Sequence, residues 1–198
     1  MIARLDHFIL EVPDIAAAHA DWQSRGFSEA WPVGPFWPKA LTSGIALGGV
    51  NLELVQPLER EPKTTHTLVF EPKSVAEGFA AMLREGLRPK LAPKVEPDPD
   101  LLALRGFPPE MQSEPQRICT NVVPAPGAPL DFFLCEYAPF LRKKLVQPLE
   151  ILSVEISLPA NAVRLLRKLG GCPLLKVVED GPQRVLAFVT GAGRFDVS

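Results

Sequence analysis

The chain has 198 residues, of which 46% are hydrophobic and 22 are prolines. Each proline removes a backbone donor and interrupts a helix interior, so this content excludes a mostly helical bundle and favours a folded protein of short elements. The 21 basic and 23 acidic residues give a net charge of −2, without the basic stripe that binding of nucleic acid requires.

The N-terminus and the cysteines indicate the cellular compartment in which the protein is expected. The first apolar run is interrupted by charged residues, unlike that of a signal peptide, and no apolar run approaches the ~18 residues of a membrane span. The three cysteines, Cys119, Cys135 and Cys172, are odd in number and widely spaced. They fit neither a disulfide framework nor a zinc site, so we expect reduced, buried thiols in a cytoplasmic protein.

Three segments of the chain resemble one another. Each opens with five mostly apolar residues between a polar residue and a proline, at residues 7–13, 66–72 and 153–159. A stretch of helical character follows each proline and ends at Gly26, Gly86 or Gly170. A proline near a helix start costs little, and a glycine suits its end. The chain is therefore predicted to repeat one supersecondary unit.

In the first unit, about residues 1–57, the predicted strand and helix are followed by an aromatic, proline-rich loop with Trp31, Phe36 and Trp37. Such a loop can wall an apolar pocket or simply pack on the surface. Two strand-like runs, residues 40–47 and 50–57, are joined by two glycines, which predicts a hairpin.

The second unit, about residues 64–139, repeats this order. Its helix carries an apolar face at spacings of three and four, and its hairpin is predicted over residues 117–123 and 130–137. A proline-rich insertion over about residues 88–117 separates the helix from the hairpin, and we interpret it as a lid or a disordered excursion.

The third unit, about residues 148–198, has a strand, a helix and further strand-like runs, but Ser153 stands where the other units have histidine. We predict an α+β fold of repeated βαβββ modules, two of them paired into a cup-shaped sheet, plus a third partial module. Because three is an odd number of modules, one sheet face has no partner within the chain. We therefore expect a homodimer through the third unit.

Two of the three histidines, His7 and His66, open the first strand of a unit. If the first two units pair about a pseudo-twofold axis, residues at matching positions meet at the shared concave surface. Thr42 and Ser43 in the first unit, and Thr120 and Asn121 in the second, are small polar residues on matching hairpin strands that can face the same cup and bind a substrate oxygen.

The segment LDHFILEVPDIAAA at residues 5–18 and the strand NLELV at residues 51–55 resemble the vicinal oxygen chelate superfamily, in particular its glyoxalase-like domains. The resemblance implies a cup formed by two βαβββ modules. It also implies a divalent metal held there by histidine from the first strand and glutamate from the last strand of each module. Carried over to this chain, the ligands are His7, Glu53 and His66, with Glu136 as the candidate fourth.

Glu136 conflicts with the strand pattern. Aligning NLELVQ with DFFLCE places Phe133 opposite Glu53 and gives Glu136 the opposite parity. Because side chains alternate between the faces of a strand, only a bulge would bring Glu136 into the cup.

A site of two imidazoles and one or two carboxylates suits Zn, Fe, Ni or Mn and leaves coordination positions open. Such a site polarises a carbonyl, with Glu53 able to act as general base, which favours a lyase or isomerase acting on a small α-carbonyl or aromatic compound. Two alternatives remain open: an iron-dependent dioxygenase of the extradiol type, and a metal-free protein that binds or sequesters a small molecule.

Overall fold

The structure is a computed structural model that describes residues 1–37, 39–179 and 181–197, without the side chains of Phe36 and Trp37. The described residues form twelve strands and five α-helices. The first unit comprises β1 (Ile2–Glu11), α1 (Ile15–Ser24), β2 (Ser28–Trp37), β3 (Ala40–Ala46) and β4 (Asn51–Pro57). The second comprises β5 (Thr67–Pro72), α2 (Val75–Arg84), β6 (Lys90–Glu96), α3 (Pro99–Leu104), a 3-10 turn (Pro109–Met111), β7 (Gln116–Val123) and β8 (Phe132–Tyr137). After α4 (Pro139–Leu145), the third comprises β9 (Ile151–Leu158), α5 (Ala160–Lys168), β10 (Leu175–Glu179), β11 (Arg184–Thr190) and β12 (Gly193–Asp196).

The helices of the three units begin and end as their sequences predict. The Asp14 side chain accepts a hydrogen bond at the start of α1, and Ser74 does the same for α2. Gly26, Gly86 and Gly170, which follow the helices, have φ of 92°, 73° and 103°. Glycine adopts this left-handed conformation without strain, so the chain can turn sharply into the next strand.

The first two units build one eight-stranded sheet in the order β2-β3-β4-β1-β5-β8-β7-β6. In the first unit β1 runs parallel to β4, and in the second β5 runs parallel to β8. The units meet where β1 and β5 pair antiparallel, with Phe8 opposite Leu68. This curled sheet of two βαβββ modules is the predicted fold, and its concave side is a cup.

Each of the two proline-rich segments contains a strand that the sequence did not predict. The aromatic segment after α1 is β2, and the insertion before the second hairpin contains β6 and α3. Both strands are edges of the sheet, where a proline such as Pro35 or Pro93 breaks no ladder on its outer side. The segment predicted as a lid or disordered excursion thus supplies the missing strand of the second module.

The third unit has the same element order but a different sheet. Its four strands run β10-β9-β11-β12, and β9 is parallel to β10 rather than to the last strand. Phe188 of β11 lies 5.9 Å from Trp22 and 5.4 Å from Phe27 of the first unit, measured between ring centroids. Val154 and Ile156 of β9 belong to the same buried cluster.

The apolar face of the third unit is therefore covered within the same chain. The expected homodimer was predicted from an uncovered sheet face, and this reason does not hold in the structure. Among the helices of the described residues, none combines the length and apolarity that crossing a membrane would require.

Candidate functional site

A cavity of about 60 Å³ lies on the concave side of the sheet. Strands of both modules form its floor, with His7 from β1, Glu53 from β4 and Phe133 from β8. Its other walls include Arg105, which follows α3, and Leu141 of α4. The inserted segment and α4 therefore restrict the cup to a small space beside His7 and Glu53.

His7 is held between two carboxylates. Its Nε2 lies 3.2 Å from Oε2 of Glu53, and its Nδ1 lies 2.7 Å from Oδ2 of Asp6. All three residues are buried, with no more than 4% of any exposed. Burial alone would lower the pKa of His7, but the hydrogen bonds to Asp6 and Glu53 raise the pKa to about 9. At neutral pH the ring is an imidazolium that donates from both nitrogens.

Charges of alternating sign continue from this site toward α4. Nη1 of Arg4 lies 3.0 Å from Asp6 and 3.6 Å from Glu71, and Nε of Arg142 donates to Glu71 at 2.5 Å. Arg4 also donates to the carbonyl of Gly49. Each buried charge thus has an opposite charge beside it, which offsets the large cost of removing it from water. Arg142 lies in α4, and its contact with Glu71 of β5 connects this helix to the sheet.

The second module does not repeat His7 and Glu53. In the β1–β5 pair His7 lies opposite Val69, Phe8 opposite Leu68 and Ile9 opposite Thr67. A pseudo-twofold axis through the central pair exchanges the two outer pairs. It therefore relates His7 to Thr67. Glu53 lies opposite Ile9 across the first module, and Phe133 lies opposite Val69 across the second. The counterparts of the first module's histidine and glutamate are therefore Thr67 and Phe133.

His66 contacts the third unit instead of the cavity. Its Nδ1 accepts a hydrogen bond from the backbone N–H of Val185 at 3.0 Å, and its carbonyl accepts from the Gln183 side chain at 2.7 Å. Burial and the nearby charges of Arg184 and Lys63 lower the pKa of His66 to about 4. The prediction that His66 is a ligand in the cup is wrong. The sequence repeat aligns His7 with His66, whereas the pairing of β1 with β5 relates His7 to Thr67, one residue further along.

Glu136 is also absent from the cavity wall. Its neighbours Cys135 and Tyr137 both line the cavity, so the side chain of Glu136 lies on the other face of β8. The described strand has no bulge that would reverse this alternation. The prediction of Glu136 as a ligand is therefore wrong, and parity is the reason.

The remaining donors do not fit a divalent metal. Among the described residues of the cup, His7 Nε2 and Glu53 Oε2 lie 3.2 Å apart, whereas a zinc site uses three or four protein ligands. Across the part of the chain that the structure describes, no group of three or more His, Cys, Asp or Glu side chains is arranged to hold a metal ion. The expected Zn, Fe, Ni or Mn site is not supported by this donor set.

The predicted pocket residues divide into two groups. Trp31 and Asn121 line the cavity. Thr42 and Ser43 are buried in β3 without reaching it, and Thr120 lies opposite Glu136, also outside it. The side chains of Phe36 and Trp37 lie outside the described residues.

Several residues that line the cavity were not predicted as site residues, among them Cys119, Cys135 and Tyr137. Cys119 and Cys135 were expected only as buried thiols, and Tyr137 was not singled out, yet all three line the cavity. The Tyr137 hydroxyl lies 3.5 Å from Nδ1 of His7, and burial raises the pKa of Tyr137 well above its usual range. The alternation of residues 133, 135 and 137 on β8 is the signal that would have identified two of them.

Neither a protein-family model nor a curated protein matches the sequence. Solved structures do match the fold. A hypothetical protein from Staphylococcus aureus matches with a TM-score of 0.63 and 7% identity, covering 96% of this chain and 90% of that one. A mutant of 4-hydroxymandelate synthase from Streptomyces coelicolor matches with a TM-score of 0.50 and 14% identity, covering 85% of this chain and 52% of that one.

The chain adopts the vicinal oxygen chelate fold. Methylmalonyl-CoA epimerase from Mycobacterium tuberculosis is a further match, with a TM-score of 0.47, 16% identity and coverage of 72% of this chain and 93% of that one. At these identities the likeness concerns the fold alone. The chemistry of this chain depends on the residues of its own cavity.

Proposed function

We propose that the protein is a lyase or isomerase that acts by acid–base catalysis on a small α-carbonyl compound. The observation that carries the proposal is the 3.2 Å contact between His7 Nε2 and Glu53 Oε2 at the wall of the cavity. A carboxylate and an imidazolium at one end of a small apolar space form a base and an acid within reach of the same ligand.

Glu53 is the base in this proposal. It accepts a proton from the carbon next to the carbonyl, and the electron pair of that C–H bond moves toward the carbonyl oxygen. Nε2–H of His7 donates a hydrogen bond to the oxygen as its negative charge grows. Return of the proton from Glu53 to the same carbon completes a hydrogen exchange. In a 2-hydroxy carbonyl compound, return to the carbonyl carbon completes an isomerisation, because the hydroxyl proton passes to the former carbonyl oxygen and the hydroxyl oxygen becomes the new carbonyl. Asp6 keeps the ring charged and fixes its orientation through Nδ1.

The size of the cavity supports the smaller of the two substrate classes. An apolar cavity of roughly 150 Å³ holds benzene. The cavity in the cup measures about 60 Å³, which suits a few non-hydrogen atoms but not an aromatic ring. A catechol dioxygenase would also need a second imidazole, and neither His66 nor His19 reaches the cavity. The proposal is therefore restricted to small carbonyl compounds.

Exchange of carbon-bound hydrogen tests this function without knowledge of the product. The protein is incubated in deuterated water with pyruvate, hydroxyacetone and glycolaldehyde in turn, and proton NMR follows deuterium at the carbon next to the carbonyl. We expect exchange with at least one compound, and a loss of about 10²–10⁴-fold in Glu53→Gln. Glu59→Gln, which changes a carboxylate paired with Lys39 at the surface, is the matched control.

Treatment with a chelator separates this proposal from a metal-dependent one. Because no step uses a metal, exchange should survive chelation at its full rate. Loss of exchange on chelation would overturn the metal-free mechanism. Binding of a probe without exchange would instead indicate the alternative class, a protein that binds or sequesters a small molecule.

A further inference from the structure

Two thiols face the cavity without a part in the acid–base step. Cys119 on β7 and Cys135 on β8 line the same space as His7 and Glu53. They are 4% and 2% exposed, so the cavity is the side from which a ligand meets them. The third thiol, Cys172, is half-buried and lies outside the cavity wall.

Strand register fixes the relation between the two thiols. Asn121 lies opposite Cys135 and Cys119 lies opposite Tyr137, so the cysteines are diagonal neighbours on adjacent antiparallel strands. Diagonal neighbours are about 7–8 Å apart at Cα, beyond the roughly 4.4–6.8 Å of a disulfide. The side chains reach one another for a hydrogen bond but not for a bond between sulfurs without movement of the backbone.

The surroundings of Cys119 favour its thiolate. The thiol of Cys135, as hydrogen-bond donor, lowers the pKa of Cys119, and the charge of His7 acts in the same direction against burial and Glu53. The same hydrogen bond and burial raise the pKa of Cys135 well above its usual range. In its thiol form Cys119 donates to Oδ1 of Asn121 at 3.4 Å, which fixes the position of the sulfur. One sulfur is thus suited to attack and the other to donate.

We propose that Cys119 is a nucleophile that binds an α,β-unsaturated carbonyl compound covalently in this cavity, with Cys135 as its positioning residue. The orientation of the carbonyl oxygen toward His7 rests on the proposed function. The sulfur forms a bond to the β-carbon, the electron pair of the C=C bond moves to the carbonyl as an enolate, and the α-carbon then takes the proton that the thiol has lost. The product is a thioether, and no oxidant or reductant is consumed.

The choice of electrophile follows from the atoms present. A thiolate is a soft, polarisable nucleophile, and the β-carbon of a conjugated carbonyl is the soft electrophilic position of a small carbonyl compound. A hydrogen bond from an imidazolium to the carbonyl oxygen withdraws electron density and so makes the β-carbon more electrophilic. The 60 Å³ of the cavity limits the compound to a few non-hydrogen atoms.

The test uses the whole folded protein in a Cys172→Ser background and but-3-en-2-one as the probe. Intact mass and peptide mapping follow the adducts with time. We expect a single adduct on Cys119 that forms faster in folded than in denatured protein. Cys135→Ala should slow it by about tenfold at neutral pH and move the pH midpoint of alkylation upward, because the donor is lost. Cys135→Ser, which keeps a donor, should restore most of the rate.

An adduct at Cys119 that forms no faster than in denatured protein would overturn the proposal, as would an equal rate in Cys135→Ala. So would a disulfide between the two cysteines under mild oxidation, since it would show that the diagonal separation does not hold them apart. Adduct formation needs no turnover. A Cys119 adduct without deuterium exchange would therefore overturn the proposed function alone, and exchange without an adduct would overturn this inference alone.

Discussion

Nε2 of His7 lies 3.2 Å from the carboxylate of Glu53, although the two residues are 46 positions apart in the chain. The parallel pairing of β1 with β4 places Glu53 opposite Ile9, two residues beyond His7 and on the same face of the sheet. The pairing of β1 with β4 within the first module therefore brings acid and base together, and no residue of the second module is needed for this contact.

The first prediction concerns the pH dependence of exchange. The hydrogen bond and the charge of Asp6 contribute to the raised pKa of His7, so Asp6→Asn should lower that pKa from its value of about 9. Because the mechanism needs the imidazolium, the alkaline limb of deuterium exchange should move to lower pH. Asp21→Asn, which changes an exposed carboxylate paired with Arg25, should leave the limb in place. If the alkaline limb of the exchange profile were unchanged in Asp6→Asn, Asp6 would not be the group that keeps the His7 imidazole charged.

The second prediction concerns stability at alkaline pH. The pKa of His7 is raised in the folded state from 6.5 to about 9, so the stabilisation is complete below pH 6.5 and is lost as pH rises through about 9. At about 1.4 kcal/mol per pKa unit, this amounts to roughly 3 kcal/mol. His7→Gln removes the titrating group, so urea unfolding should show a flatter free energy of unfolding across this range. A slope equal to that of the native protein would contradict the assignment.

The third prediction concerns acid pH and His66. Its pKa is lowered in the folded state from 6.5 to about 4, so the unfolded chain binds the proton first as pH falls. Stability is complete above pH 6.5 and is lost as pH falls through about 4, by roughly 3 kcal/mol. His66→Asn keeps an acceptor for the N–H of Val185 and should flatten this acid slope.

The control for His66 is His19→Asn, since His19 of α1 contacts Glu29 of β2 rather than the third unit. Urea titrations between pH 4 and 7 compare the two variants. The same acid slope in His66→Asn and in native protein would assign the acid loss of stability to other groups.

The fourth prediction concerns the contact between the third unit and the first. Phe188 is fully buried against Trp22 and Phe27, so Phe188→Ala should cost about 3–5 kcal/mol of unfolding free energy. Leu152 lies on the same sheet but is 68% exposed, and Leu152→Ala should change the free energy by less than about 0.5 kcal/mol. Equal, small effects in the two variants would show that the third sheet does not pack on the first unit.

The sequence predicts α1, α2 and α5 and the hairpins of the first two units, because prolines and glycines mark their ends. It does not predict β2 or β6, since proline argues against a strand and only the order of the sheet shows that both are edges. The strand order of the third unit likewise depends on packing against the first, which a local pattern does not contain.

The candidate site divides in the same way. His7 and Glu53 follow from the repeat and the resemblance, and both reach the cavity. His66 does not, because counting from Pro13 and Pro72 aligns it with His7, whereas strand pairing relates His7 to Thr67. Register depends on contacts across the strands, including the irregularity between Leu5 and His7, and these are invisible in one sequence.

Phe133 in place of a second glutamate has a stereochemical consequence. The first module lines the cavity with the carboxylate that removes the proton, and the second module contributes an aromatic ring at the matching position. A prochiral carbon in the cavity then meets the base on one face only. Proton removal and return should therefore be confined to a single enantioface, and the label introduced from deuterated water should be of one configuration.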